Sequence, residues 1–332
     1  MGRPPGHNAG SGGLDRVLAA VFLLLLGAFL LYFGANWLVV GASALAGNFG
    51  VAPAVVGLTV VAFGTSLPEL VVTVTAAARG SSSMALGNVV GSNIANIALI
   101  LGAASSIRAL RVEMTMLKRE APMGLAALGL LVLLTLDGLL SRVDGVVLLA
   151  AFAVFLWWSV GVERKLEEGD QQAFDSPVLF SRGRSLLMVG VGLGAVLGGG
   201  QALVEGGVRV ATYLGVPSVV IGLTILAVGT SLPELATSMM AVAKGEDDIG
   251  VGGVLGSNLF NLLLILGIAA LLTPIEVPRT FFNFQYPVLG AFTLGILPMA
   301  ASGGMIKRGE GLLLIAGYIL YVAALYLYPV AG

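Results

Sequence analysis

Residues 57–102 read GLTVVAFGTSLPELVVTVTAAARGSSSMALGNVVGSNIANIALILG, and residues 222–267 read GLTILAVGTSLPELATSMMAVAKGEDDIGVGGVLGSNLFNLLLILG. The two align without a gap at an offset of 165, with 24 identities in 46 positions. The register persists upstream, where Gly34, Leu38, Val39, Gly41 and Ala46 match Gly199, Leu203, Val204, Gly206 and Ala211. The chain is therefore a duplicated unit, and what the duplicated unit contains decides both fold and chemistry.

Of the 332 residues, 57% are hydrophobic and 11% charged, and the mean hydropathy is +0.99. A soluble domain of this size cannot cover its surface with so little polar material, so the expected solvent is a lipid bilayer. A span takes roughly 20 mostly apolar residues. Helices are expected at 16–46, 53–79, 84–107, 120–136, 142–162, 184–213, 217–244, 249–272, 281–300 and 309–329. This is an all-α polytopic membrane protein of ten transmembrane helices. It divides into a disordered leader (1–15), a five-helix repeat (16–162), a polar loop (163–183) and a second five-helix repeat (184–332). The first apolar stretch runs on without a cleavage site, so it reads as a helix and not as a signal peptide. Five is odd, so equivalent helices cross in opposite directions and the repeats are inverted, an arrangement by which secondary transporters build a site at mid-membrane.

With the N-terminus outside, eleven of the seventeen basic residues fall in inside loops, from Arg108, Arg111, Lys118 and Arg119 through Arg164, Lys165, Arg182, Arg184 and Lys244 to Lys307 and Arg308. The positive-inside rule then sets both termini outside an inner cell membrane and the central loop in the cytoplasm. The basic residues are scattered, which argues against nucleic acid as a partner. There is no cysteine, and the one histidine, His7, lies in the leader. Disulfides, thiolate or imidazole metal sites and haem are thereby excluded, as are the common hydrolytic arrangements of an enzyme. Nothing calls for a cofactor or an obligate protein partner.

Two acids stand at the same place in both repeats, Glu69 and Glu234, and an ionised Glu in hydrocarbon costs at least about 2.5–3.5 kcal/mol. Each follows a proline. Pro68 and Pro233 cannot donate to the carbonyls of Gly64 and Gly229, so each helix must break or kink there and turn oxygens toward a cavity. Thr65 with Ser66, and Thr230 with Ser231, add hydroxyls in the same turn; Thr65 and Thr230 share a helix face with their glutamates. The GSN motifs add Ser92, Asn93 and Asn96 in one copy and Ser257, Asn258 and Asn261 in the other. Carboxylates, hydroxyls, amides and carbonyls without nitrogen or sulfur ligands suit Ca2+, which takes six to eight oxygens in a flexible shell, better than Mg2+. Na+ can use the same oxygens, and two carboxylates balance one Ca2+.

At the paired GTSLPE and GSN motifs the chain resembles the cation/Ca2+ exchanger superfamily, which includes the Na+/Ca2+ exchangers, and its compact prokaryotic branch in particular. The resemblance covers nearly the whole chain and implies ten helices in two inverted halves. It further implies that Glu69, Glu234, Thr65 and Thr230 bind Ca2+, while Ser66, Ser92, Ser231 and Ser257, with the carbonyls of Ala62 and Ala227, complete sites for Na+. Some members, including potassium-dependent exchangers, carry an aspartate at the position of Asn261, opposite Asn96, so potassium co-transport is not implied here. The central loop is too short for a calcium-sensing domain. The reading that results is a secondary antiporter exchanging Ca2+ for Na+ by alternating access, with the glycine-rich first and sixth helices as sliding elements. A Ca2+/H+ antiporter using the same carboxylates, or a passive cation channel, are the alternatives.

The remaining ionisable groups read as structural. Glu205 and Arg209 are set for an i,i+4 pair, Asp137 and Asp144 for helix ends in solvent, and Glu246, Asp247 and Asp248 for a solvated acidic turn or a weak attractor of cations.

Overall fold

The computed structural model describes residues 11–112, 114–169, 180–215, 227–301 and 304–327. Among these residues the helices fall into ten stretches: α1 (Ser11–Phe49), α2 (53–78), α3 (Ser82–Ile107), α4 (Met114–Leu134), α5 (Arg142–Gly169), α6 (Arg182–Tyr213), α7 (described from Ala227 to Lys244), α8 (Asp247–Leu272), α9 (281–301) and α10 (Arg308–Leu327). Six are long and apolar enough to cross a bilayer, and α2 makes a seventh when its two arms count as one span. The architecture is that of an all-α membrane protein.

Several boundaries depart from the sequence reading. Helix α1 already begins at Ser11, inside the expected leader, whose first ten residues lie outside the described set, and α4 begins at Met114. Helix α5 continues to Gly169, so Glu163, Arg164, Lys165, Glu167 and Glu168 are helical and not loop. Hydropathy stops where the lipid-facing sequence stops, but Glu, Arg, Lys and Leu are good helix formers and carry the helix on. Residues 170–179, in the expected central loop, and 216–226, in the expected seventh helix, lie outside the described residues.

Burial sorts the helices into layers. The membrane-length windows of α3 and α8 are 72% and 83% buried, whereas those of α1 and α10 are 22% and 17% buried. Around α3 and α8 gathers the main core, with Leu86, Val89, Ile94 and Ile97 meeting Val254, Leu255, Leu259 and Leu262. The two GSN motifs thus sit on the two innermost helices.

Helices α1 and α6 form a separate pair. A Cβ added at Gly27 would fall 2.8 Å from the Gly199 carbonyl oxygen, one at Gly34 would fall 2.8 Å from Val196 N, and one at Gly41 would fall 2.9 Å from Val189 N. As α1 advances α6 recedes, so the two equivalent helices are antiparallel. From the other side, Gly192 faces Gly34 and Leu38, Gly199 faces Gly27 and Leu31, and Gly206 faces Ala20 and Leu24. Seven-residue glycine spacing on both helices brings backbone against backbone, the small-residue contact favoured where lipid offers no hydrophobic drive.

The duplication is written into the turns as well. α2 and α7 both end on a left-handed glycine, Gly80 (φ 73°) and Gly245 (φ 84°). In each, the next residue donates back to the helix: Ser81 N to Ala76 O and Glu246 N to Ala241 O, both at 2.9 Å. This is the glycine-ended cap that satisfies the last carbonyls. Two short antiparallel ribbons join the halves: β1 (Leu110–Arg111) pairs with β4 (Met305–Ile306), and β2 (Leu139–Leu140) with β3 (Ile275–Glu276).

At the ends of the helices the acidic turn corrects the expectation of a solvated cluster. Asp247, at 6% exposure, is ion-paired with Arg108 and accepts from Arg111 N at 3.0 Å, while Arg108 Nε also donates to the Val242 carbonyl at 2.8 Å. Glu246 accepts from Ser43 Oγ at 2.8 Å. The turn is a junction of α1, α3, α7 and α8. Asp247 heads α8, where a negative charge also meets the positive end of the helix dipole. Arg108→Ala leaves that buried carboxylate without its counter-ion, and a loss of roughly 1–3 kcal/mol is expected. Asp247→Asn leaves Arg108 in contact with water, since its side chain is 37% exposed. Thermal unfolding in detergent should therefore rank Arg108→Ala below Asp247→Asn, and equal midpoints would contradict this account.

Of the other expectations, those for Glu205 with Arg209 and for Asp137 hold, while Asp144 is not fully in solvent. Glu205 and Arg209 are paired at 2.9 Å and exposed. Asp137 is exposed and accepts from Leu139 N, whereas Asp144 is half-buried and accepts from both Ser141 N and Ser141 Oγ at the start of α5.

Candidate ion-binding site

Helix α2 breaks where Pro68 predicts. Its two arms, Gly57–Thr65 and Leu67–Ala78, meet at 49°. Ser66 at the joint has φ −80° and ψ 5°, and its counterpart Ser231 has φ −88° and ψ 5°. In both cases the proline opens the second arm and the glutamate sits in its first turn, next to free N–H groups and the positive end of the helix dipole.

The breaks carry the two glutamates into the interior. Glu69 is 1% exposed and Glu234 2%, and Ser66, three residues before Glu69, reaches Glu234. Each faces the hydroxyl pair of the opposite repeat: Glu69 the side chains of Thr230 and Ser231, and Glu234 those of Thr65 and Ser66. Ser66 Oγ donates to Glu234 Oε1 at 3.3 Å. Thr65 Oγ1 donates to the Val61 carbonyl at 3.1 Å, and the Ala62 carbonyl accepts from Ser66 N at 3.1 Å. Ala227 opens the described part of α7.

The GSN motifs meet across the centre. Asn93 Nδ2 donates to the Asn258 carbonyl at 3.1 Å, and Asn258 Nδ2 to the Asn93 carbonyl at 3.4 Å. Asn96 Nδ2 donates to Asn258 Oδ1 at 2.9 Å, and Asn261 Nδ2 to Asn93 Oδ1 at 3.0 Å. Both helices widen into π-helical turns here, Asn96–Leu101 and Phe260–Ile265, a distortion frequent at functional sites. The turn headed by Asn96 packs on the arm of α7 that bears Glu234, and the turn holding Asn261 on the arm of α2 that bears Glu69. Ser92 and Ser257 are buried on the same two helices.

Among the described residues, the buried oxygens left without a hydrogen-bond partner include Glu69 Oε1 and Oε2, Glu234 Oε2, Thr230 Oγ1, Ser231 Oγ, Ser257 Oγ, Asn96 Oδ1 and Asn261 Oδ1. Unpaired buried carboxylates are costly unless a cation or a proton neutralises them. Among the described residues no group of three or more His, Cys, Asp and Glu is placed to hold a metal ion, so the donor set is two carboxylates supplemented by neutral oxygens. Such a set matches hard cations.

The sequence reading left out one departure from symmetry. Asn88 Nδ2 donates to the Glu69 carbonyl at 3.2 Å and to Thr73 Oγ1 at 2.9 Å. Its equivalent is Gly253, and on that side a pocket lined by Val61, Thr65, Thr237, Ser238, Ile249 and Gly253 reaches Glu234. Comparing the two copies position by position would have marked this spot, because Asn88 is polar within an otherwise apolar turn.

The same pattern is found in known proteins. The family described as sodium/calcium exchanger protein matches residues 19–161 and 184–327, one stretch in each half. The chain is 36% identical over 318 residues to the inner membrane protein YrbG of Escherichia coli, covering 93% of this chain and 98% of that protein. It is 33% identical to the sodium/calcium exchanger MaX1 of Methanosarcina acetivorans, covering 92% and 97%. Among solved structures, the sodium-calcium exchanger NCX_Mj soaked with Na+ and Ca2+ superimposes with a TM-score of 0.80 at 33% identity, over 92% of this chain and 98% of that one. With the family pattern in both halves and relatives matched nearly end to end, the chain belongs to the sodium/calcium exchanger family.

Proposed function

We propose that the protein is an antiporter that exchanges Ca2+ for Na+ by alternating access, through ten spans arranged as two inverted repeats. The observation that carries this reading is the pair of buried glutamates, each facing the Thr–Ser pair of the opposite repeat, with acceptor oxygens unsatisfied around them. Two carboxylates balance one Ca2+, and Na+ ions entering the same oxygens displace it by competition. The Ca2+ ligands are Glu69, Glu234, Thr65 and Thr230. The Na+ sites draw on Ser66, Ser92, Ser231 and Ser257 and on the carbonyls of Ala62 and Ala227, with Asn96 and Asn261 contributing amide oxygens.

The contacts favour the inverted arrangement. With both termini outside an inner cell membrane, the Arg108–Asp247 pair and the ribbon of Arg111 with Met305 fall on the cytoplasmic side, while the ribbon of Leu139 with Glu276 falls on the outer side. Every such link then joins ends on one face. The antiparallel α1–α6 pair, packed as a unit, is the element that slides against the core.

The test is flux in liposomes. Protein reconstituted with Na+ inside and diluted into Na+-free buffer should take up radioactive Ca2+, and collapse of the Na+ gradient should stop it. Uptake driven equally by a pH gradient in Na+-free medium would replace this reading with a Ca2+/H+ antiporter. Uptake needing no counter-ion would replace it with a channel.

A further inference from the structure

We infer that Asn93 and Asn258 are positioning residues that fix which atom of Asn261 and Asn96 faces the ions, each acting on the amide of the opposite repeat. This rests on the ion-exchange reading above and adds two residues to it.

The argument runs from atoms that have no choice of role. The backbone carbonyls of Asn258 and Asn93 can only accept, so the atoms reaching them at 3.1 and 3.4 Å must be the Nδ2 donors of Asn93 and Asn258. That sets both amide planes and leaves Asn93 Oδ1 and Asn258 Oδ1 turned the other way, again able only to accept. What meets them at 3.0 and 2.9 Å must therefore donate: Asn261 Nδ2 and Asn96 Nδ2. The remaining atoms of these two amides, Asn261 Oδ1 and Asn96 Oδ1, are buried and without a partner. Two backbone oxygens thus dictate, through two relays, that oxygen and not nitrogen is left over at each end.

The direction matters for a cation. An amide presented by its nitrogen repels a metal ion and an amide presented by its oxygen can ligate one. In water an asparagine flips between the two, and here all four are nine-tenths buried or more and tied in place. The relay also crosses the molecular centre. Asn93 on α3 acts on Asn261 on α8, and Asn258 on α8 acts on Asn96 on α3, so each half of the duplicated chain orients a ligand supplied by the other. Groups that orient ligands from outside the ligand shell typically change metal affinity by about 10–100-fold when removed.

The experiment is equilibrium binding of radioactive Ca2+ to purified protein in detergent, with Na+ competition, on Asn93→Leu, Asn261→Leu, Asn96→Leu and the two double variants that contain Asn93→Leu. Where a Leu variant elutes aggregated, Asn→Ser replaces it, since a serine hydroxyl is too short to span the relay. The inference expects Asn93→Leu to weaken Ca2+ binding roughly 10–100-fold. In the Asn261→Leu background Asn93→Leu should weaken it no further, because the amide it orients is gone. In the Asn96→Leu background, on its own helix, the two losses should multiply. A merely structural asparagine lowers the unfolding midpoint and gives the same coupling with either partner. Unchanged affinity in Asn93→Leu, or losses that multiply with Asn261→Leu, overturns the positioning role while the exchange reading stands. A wild-type protein that binds neither ion overturns both.

Discussion

Glu69→Gln is expected to cut Na+-driven Ca2+ uptake by at least about a hundredfold, since removing one partner of a buried charged set costs roughly 3–5 kcal/mol and each 1.4 kcal/mol is tenfold. Glutamine has the same shape and leaves one carboxylate, that of Glu234, to face a divalent ion alone. The same substitution removes a buried carboxyl group whose oxygens lack hydrogen-bond partners in the ion-free protein, and so should raise its unfolding temperature in metal-free detergent. Added Ca2+ should stabilise the wild type by mass action and leave the variant unmoved. Opposite signs for stability and transport distinguish a ligand from a packing residue. Glu234→Gln should behave alike, because the two acids occupy equivalent places. A Glu69→Gln protein that still exchanges at a tenth of the wild-type rate would remove Glu69 from the site.

Gly192→Leu is expected to have the largest effect on folding. A Cβ there would fall 2.5 Å from Leu38 N and 2.9 Å from the Gly34 carbonyl oxygen, atoms of a helix backbone that no rotamer change can move. The cost should exceed the roughly 1–3 kcal/mol of ordinary overpacking, because α1 and α6 must part along their length. The control lies on the same helix. Gly190 and Gly194 have nothing within 4 Å of an added Cβ, so Gly190→Leu and Gly194→Leu should express and unfold like the wild type. Size-exclusion profiles and thermal midpoints of the three variants make the comparison, and equal behaviour would mean the seam is looser than the backbone contacts imply.

Much of the centre was legible in the chain because the duplication repeated it. Pro68 before Glu69, and Pro233 before Glu234, foretold a break in α2 and α7, and the 49° bend at Ser66 is that break. The glycines that set the first and sixth helices apart in the sequence prove to line their mutual seam, where Gly34 and Gly199 bring backbones together. What stayed hidden depends on partners far away along the chain. Asp247 in an acidic turn looks solvated until Arg108, 139 residues earlier, is seen beside it. The asparagines read as oxygen donors one at a time. That Asn93 and Asn258 orient Asn261 and Asn96 follows only once α3 and α8 face each other. The π-helical turns at Asn96 and Phe260 leave no mark on hydropathy, because they change which neighbours a residue meets and not its polarity.

The most direct test of the shared site is equilibrium binding of radioactive Ca2+ to the purified wild-type protein across a series of Na+ concentrations, repeated with Glu69→Gln and Glu234→Gln. Competition at one set of oxygens predicts that Na+ drives Ca2+ off completely, and that either single substitution removes measurable Ca2+ binding. Full Ca2+ occupancy at saturating Na+, or half of the bound Ca2+ surviving in each variant, would mean that the two glutamates serve separate sites.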